Sequence, residues 1–260
     1  MAGKRPDSTD VNLNKQVEKL NNLYASSKTV SDQGLKETYY DSVFFIFANA
    51  LETKASFAFG FDSLKYMGHL TSQDNFLRVH SWNMPKSDGT HKYYCIVQVN
   101  QKKNYRIYSF TSTLGRQENI ERKKVPYNQW YGALYYDIIK TKHQGQEFYT
   151  LLGLDLNDLY SNKKYIDIIT VPDDYEPHFG EPVFNDGATV RPRVIFEYSS
   201  RAQMTLRYEE KLKMIVFDHL VPIAEQYTGD PRFNVPDNAK NGYKWENGSW
   251  VLHKDVDISN

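Results

Sequence analysis

Apolar side chains near the start of the chain recur at helical spacing. The first stripe consists of Leu13, Val17, Leu20 and Tyr24. Its steps of three and four residues predict an amphipathic helix over about residues 11–26. A second, wider stripe predicts another helix from about Leu35 to Thr53, buried over much of its circumference.

From about Phe76 onward the apolar period changes to two, which is the period of a β-strand. The alternating runs are "NFLRVHSWN", "HKYYCIVQVN", "YRIYSFTS", "QWYGALYYDIIK", "EFYTLLGLDL", "KKYIDIITV", "PRVIFEYSS", "MTLRY", "KMIVFDHLV" and the two arms of "GYKWENGSWVLHKD". Together they predict about eleven strands joined mostly by short turns. Asn247-Gly248, between the last two arms, is the strongest hairpin signal in the chain.

The order of these elements predicts the fold class. No helical pattern alternates with the strands, so a parallel βαβ sheet is not expected. Short turns favour an antiparallel meander, closed as a barrel, packed as a sandwich or left as a curved sheet. The sequence therefore predicts an α+β protein in which two N-terminal helices (residues 1–60) pack on a large antiparallel β domain (residues 61–260).

Composition narrows the classes of partner. Lys plus Arg equals Asp plus Glu, 32 against 32, whereas a nucleic-acid-binding protein usually has a basic excess. The short basic runs at 101–106 and 121–124 are typical of solvated turns, so no nucleic-acid partner is expected. The longest apolar run, residues 43–51, is too short to span a membrane.

Familiar cofactor and metal patterns do not occur. The chain has no glycine-rich phosphate loop and no nucleophile elbow, and we expect no cofactor. None of the seven histidines shows the i, i+4 helical spacing of a zinc site, and no metal is expected. The single cysteine, Cys95, lies in an apolar run and is predicted to be a small core residue.

Four titratable residues are candidates for catalysis. Asp218 and His219 are adjacent, but alternation along a strand points them to opposite faces, so they do not form a dyad by themselves. Further candidates are Glu197, in or beside a neighbouring strand, and His80, which shares a strand face with Trp82. A hydrolase that combines such groups at strand ends is the alternative hypothesis for function.

Aromatic side chains provide the preferred hypothesis. The chain has 20 Tyr, 14 Phe and 4 Trp residues. An exposed aromatic row on a β surface binds glycans or proteins through large contact area, whereas a buried row only stabilises the sheet. The predicted binding residues are Tyr131, Tyr135, Trp82, Tyr243, Trp245 and Trp250.

Several segments resemble a known family. They include "FDSLKYMGHLTSQDNFLRVHSWNMPKSDGTHKYY", "WYGALYYDII", "RVIFEYSSRAQMTLRYEEKLKMIVFDHLVP" and "GYKWENGSWVLHKDVD", within about residues 61–257. They are similar to an uncharacterised family of exported envelope proteins of Gram-negative, Bacteroidetes-type bacteria with no assigned activity. The resemblance implies a mature periplasmic or cell-envelope protein whose export signal has been removed. A cytoplasmic location is the alternative, because "MAGKRPDSTD" leads into polar sequence.

We therefore expect a non-enzymatic envelope protein that binds a glycan or an envelope partner protein through an aromatic β surface.

Overall fold

The computed structural model describes residues 8–101, 105–112, 119–171 and 176–258. The two predicted helices are present as α1 (Ser8–Thr29) and α2 (Gln33–Ala50). Asp32 begins α2, because its side-chain Oδ1 accepts a hydrogen bond from the Leu35 backbone N–H at 2.7 Å. The α+β prediction, with two helices followed by antiparallel sheets, is confirmed.

The first sheet, called sheet A, is the predicted meander with one extra strand. Its strands are β1 (Gly68–Thr71), β2 (Leu77–Pro85), β3 (His91–Asn100) and β4 (Tyr105–Thr111). They are paired in chain order, and every pair is antiparallel. Residues 102–104 of the basic run at 101–106 lie outside the described residues.

The second sheet, sheet B, contains the predicted hairpin around Gln144-Gly145. Its strands are β5 (Val125–Pro126), β6 (Leu134–His143), β7 (Gln146–Asp155), β8 (Ser161–Thr170), β9 (His178–Phe179) and β12 (Arg193–Ser199). The order is β5-β9-β8-β7-β6, and β12 pairs antiparallel with β8. Strand β8 is therefore central, with β7 along one edge and β12 followed by β9 along the other.

The third sheet, sheet C, holds the C-terminal strands. They are β10 (Phe184–Asn185), β11 (Val190–Arg191), β13 (Leu206–Glu209), β14 (Met214–Pro222), β15 (Asn234–Glu246) and β16 (Ser249–His253), in the order β11-β10-β16-β15-β14-β13. Asn247 and Gly248 join β15 to β16 with φ values of 49° and 86°, as a tight hairpin turn requires. The short β10–β16 contact is parallel, unlike the other pairs of this sheet.

These elements stack in the order helices, sheet A, sheet B and sheet C. Alternation along β3 places Tyr94 and Ile96 against α1 and α2, and Cys95 and Val97 against sheet B. Alternation along β8 directs Tyr165 toward sheet A. The adjacent Ile166 faces sheet C. Sheet B is thus covered on both faces, and one of the three sheets curls as a half-barrel.

Candidate functional site

Asp218 and His219, the adjacent candidates in β14, belong to separate networks. The buried Asp218 carboxylate accepts from the Thr205 backbone N–H at 2.6 Å and pairs with the Lys240 ammonium. The exposed His219 ring places Nδ1 2.8 Å from Asp237 Oδ2. The register shifts between Asp218 and Leu220, where His219 of β14 is opposite residues 237–239 of β15. The two side chains do not cooperate in one site.

His80 lies in a sealed polar chain between sheet A and the helices. Its Nδ1 is 2.6 Å from His69 Nδ1, and its Nε2 is 3.0 Å from Gln98 Oε1. Because the Gln98 amide donates to Ser56 Oγ at 2.9 Å, Gln98 Oε1 accepts from His80 Nε2–H. We therefore assign the remaining proton to His69 Nδ1, which donates to His80.

Burial keeps this histidine pair neutral. Burial, together with the nearby Arg78 charge, lowers the pKa of His69 to about 4. Burial and the neighbouring His69 lower the pKa of His80 well below its usual range. The Phe47 ring packs edge-on against His80 at 5.0 Å and closes access from α2. These contacts give His80 a structural role.

Between sheets A and B lies a buried ion pair that the sequence analysis did not predict. Arg193 and Asp167 are opposite one another on β12 and β8, and both are fully buried. Arg193 Nε donates to Asp167 Oδ2 at 3.1 Å, and Nη1 donates to the carbonyls of Ile120 and Lys123. The Tyr131 hydroxyl donates to the same carboxylate oxygen.

The contacts of this pair favour its ionised form. Burial alone would lower the pKa of the Arg193 guanidinium, but the Asp167 carboxylate outweighs burial and raises that pKa. Burial raises the pKa of Asp167, while Arg193 and the Tyr131 hydroxyl oppose that rise. The only signal in the sequence was a charged residue in each of two apolar runs, and their register could not be read from it.

The prediction that six aromatic residues form an exposed binding surface is wrong for four of them. Trp82, Tyr135, Tyr243 and Trp250 are between 0% and 4% exposed. Trp82 packs under the helices, Tyr135 between sheets A and B, and Tyr243 and Trp250 between sheets B and C. The other two are half-buried.

Tyr131 stacks on Tyr165 at 4.8 Å, and Trp245 packs against Trp250 at 5.4 Å. Alternation predicts which residues share a strand face, but it cannot show that another layer covers that face.

Glu197, the fourth catalytic candidate, lines an open groove beside β12, called here the β12 groove. The groove has a volume of about 580 Å³. Its polar lining includes Lys163, Glu197 and Asn234, and its apolar lining includes Ile195, Phe196 and Leu220. The Phe196 ring is fixed against Phe217 with 4.6 Å between ring centres.

Lys163 and Glu197 form the polar centre of the groove. They are register partners on β8 and β12, and Lys163 Nζ is 3.8 Å from Glu197 Oε2. Ser161 Oγ donates to Glu197 Oε1 at 2.7 Å, and Lys163 Nζ donates to Asn157 Oδ1 at 3.0 Å. Both side chains stay partly exposed, at 14% and 17%, so they are fixed in position yet accessible to a ligand.

The charges along the groove balance. Among its described lining residues are two acidic side chains, Glu121 and Glu197, and two basic ones, Lys163 and Arg191. Such a lining favours neither a polyanion nor a polycation. A neutral ligand with hydrogen-bonding groups fits it best.

Within the described ranges, no three His, Cys, Asp or Glu side chains come together in a way that could hold a metal ion. No helix in the described part of the chain is both long and apolar enough to cross a membrane. Comparison with protein-family models, with curated proteins and with solved structures finds no match for this chain.

Proposed function

We propose that this protein is a non-catalytic binding protein whose β12 groove takes a neutral glycan. The observation that carries the proposal is the position of the Lys163–Glu197 pair beside the apolar side chains of Ile195, Phe196 and Leu220. A sugar presents hydroxyl groups and apolar C–H faces side by side. The groove provides polar groups for the hydroxyls and apolar side chains for the C–H faces.

The hydrogen-bonding chemistry supports a hydroxyl ligand. A hydroxyl group donates one hydrogen bond and accepts others, so it is best held between a donor and an acceptor. The Lys163 ammonium donates and the Glu197 carboxylate accepts. Ser161 and Asn157 hold these two groups in place, which reduces the entropy lost when a ligand binds.

The dispersal of the catalytic candidates supports binding over hydrolysis. Of the four, only Glu197 lines the β12 groove. Asp218, His219 and His80 are held in three other hydrogen-bonded networks. Glycoside hydrolysis usually requires two carboxyl groups facing one another across the bond that is cleaved. The envelope location stays a prediction from the family resemblance, and it would bring the groove to cell-surface glycans.

The test is a glycan array followed by titration calorimetry of the glycans that bind. We expect Lys163→Met and Glu197→Gln each to weaken binding roughly ten- to a hundredfold, the effect of losing one hydrogen bond to a charged group. The matched controls are Lys65→Met and Glu52→Gln, exposed residues on the helical side of the molecule, which should change affinity less than twofold.

Three results would contradict the proposal. They are a protein that binds no glycan on the array, groove variants that bind like the controls, and release of new reducing ends from a bound glycan. The last would instead support the hydrolase hypothesis.

A further inference from the structure

The β12 groove adjoins a second cavity. The second cavity has a volume of about 460 Å³, and its lining includes Arg122, Val190 and Pro192. Glu121 and Arg191 line both cavities, so the two adjoin at these residues. A ligand that fills the β12 groove therefore has room to extend.

This path follows the chain from β11 into β12. Val190 and Pro192 line its far end, and Ile195 and Glu197 line the β12 groove. Because an extended chain advances about 3.3 Å per residue, the segment from Val190 to Glu197 spans at most about 23 Å. Several joined sugar rings fit within that limit.

Where the two cavities meet, the lining again contains one basic and one acidic side chain, as Lys163 and Glu197 do in the β12 groove. Arg191 is held by Asp186 and by Thr189, whose Oγ1 accepts from Arg191 Nη2 at 3.0 Å. Glu121 is a second carboxylate in the lining of both cavities. The side chains of Arg191 and Glu121 are 38% and 36% exposed, so a ligand can reach both a donor and an acceptor here.

The second cavity has an apolar wall, as the β12 groove does. Val190 and Pro192 provide apolar surface, and Thr189 and Arg122 provide polar groups beside it. A path on which the same chemistry occurs twice suits a ligand built from repeating units. We infer that the protein binds a neutral oligosaccharide chain across both cavities, with Arg191 and Glu121 contacting the unit that bridges them. This inference rests on the proposed function and specifies the length of its ligand.

The experiment compares chain lengths. Glucose, cellobiose, cellotetraose and cellohexaose are titrated into the full chain by calorimetry, with the malto-oligosaccharide and β-1,4-linked N-acetylglucosamine series in parallel. In the series that binds, we expect the Kd to fall at least tenfold from the disaccharide to the hexasaccharide.

A variant that fills the second cavity separates the two sites. Val190 is 54% exposed on a two-residue strand, so the larger side chain of Val190→Trp can be accommodated outside the core. This variant should lose the gain in affinity for the hexasaccharide and keep the Kd of the disaccharide within twofold. Leu35→Trp, at a 48% exposed position on α2, is the matched control and should bind every length as the unaltered chain does.

The failures are distinguishable. Equal affinity for disaccharide and hexasaccharide, or unchanged hexasaccharide binding by Val190→Trp, would overturn the extended path and leave the single-groove function in place. If the glycan array and all three series show no binding at any length, the proposed function fails as well. Binding of a labelled random peptide library, displaced by none of the sugars, would also overturn the glycan chain as ligand.

Discussion

Arg193 shows how one buried side chain, once its charge has partners, fixes the register of two strands. Transfer of a guanidinium from water into the core costs several kcal/mol, and the Asp167 carboxylate and two backbone carbonyls offset that cost. Arg193 Nη2 has no hydrogen-bond partner in the described part of the chain. A side chain so fully buried requires β12 and β8 to pair in one register, because a shift of one residue would separate the two charges.

The histidine pair under the helices predicts a pH dependence at the same scale. The pKa of His69 is about 4 in the folded protein, against an ordinary value of 6.5. Between these values the unfolded chain holds a proton that the folded chain does not. Stability is therefore complete above about pH 6.5 and falls as the pH drops toward 4, by about 1.4 kcal/mol per pH unit for one such group.

Urea unfolding from pH 7 to pH 4.5 measures this effect. His69→Gln should have a flatter dependence of the free energy of unfolding on pH than the unaltered chain. His253→Gln, which changes a more exposed histidine in β16, should follow the unaltered chain. Parallel curves for all three proteins would show that the His69–His80 contact does not resist protonation.

At the scale of elements, local signals predicted the helices and the hairpins well. The turn at Asn247-Gly248 was predicted because an Asn-Gly pair adopts positive φ without help from distant residues. The two-residue strands β5, β9, β10 and β11 were missed, since two residues carry no period. Strands β9 and β10 pair with the longer β8 and β16, and β5 and β11 pair in turn with β9 and β10.

Two turn glycines provide a matched test of what surrounds a hairpin. Gly145 and Gly248 both have φ of +86°, so alanine at either position costs about 1–2 kcal/mol through the backbone alone. A Cβ at Gly145 would meet no atom within 4 Å, whereas one at Gly248 would lie 2.6 Å from His143 Cδ2. We expect Gly248→Ala to be less stable than Gly145→Ala by about 1 kcal/mol or more.

Urea unfolding of the two variants at one pH checks this difference. A further His143→Ala change should reduce the extra loss at Gly248 and leave the effect of Gly145→Ala unaltered. Equal stability of the two variants would mean that the His143 ring moves aside freely.

At the scale of the whole molecule, sheet B is the centre of the stack. Strands β7 and β8 have neighbours on both edges and layers on both faces, and Leu151, Leu152, Ile166 and Ile168 have no exposed surface. The outer strands β4 and β13 each have one paired edge. Amides in β7 and β8 should therefore exchange only when the whole chain unfolds.

Hydrogen exchange followed by mass spectrometry tests that order. We expect the slowest exchange in peptides from 146–155 and 161–170, and faster exchange in β4, β13 and both helices. Slowest exchange in α1 and α2 would contradict a stable core centred on sheet B.

The sequence by itself determined the two helices, the main strands, the strongest hairpin and the separation of Asp218 from His219. Each of these depends on residues close together in the chain, through spacing, alternation or turn geometry. Only the tertiary structure decided that Trp82, Tyr135, Tyr243 and Trp250 are core residues, because their burial depends on which layer covers each strand face.

Only the tertiary structure, likewise, decided the Asp167–Arg193 pair and the β12 groove. Both bring together residues from β8 and β12, which are separated in the chain by three short strands and their loops, and their meeting depends on strand register. Strand register depends on how whole sheet faces pack, so no short stretch of the sequence determines it.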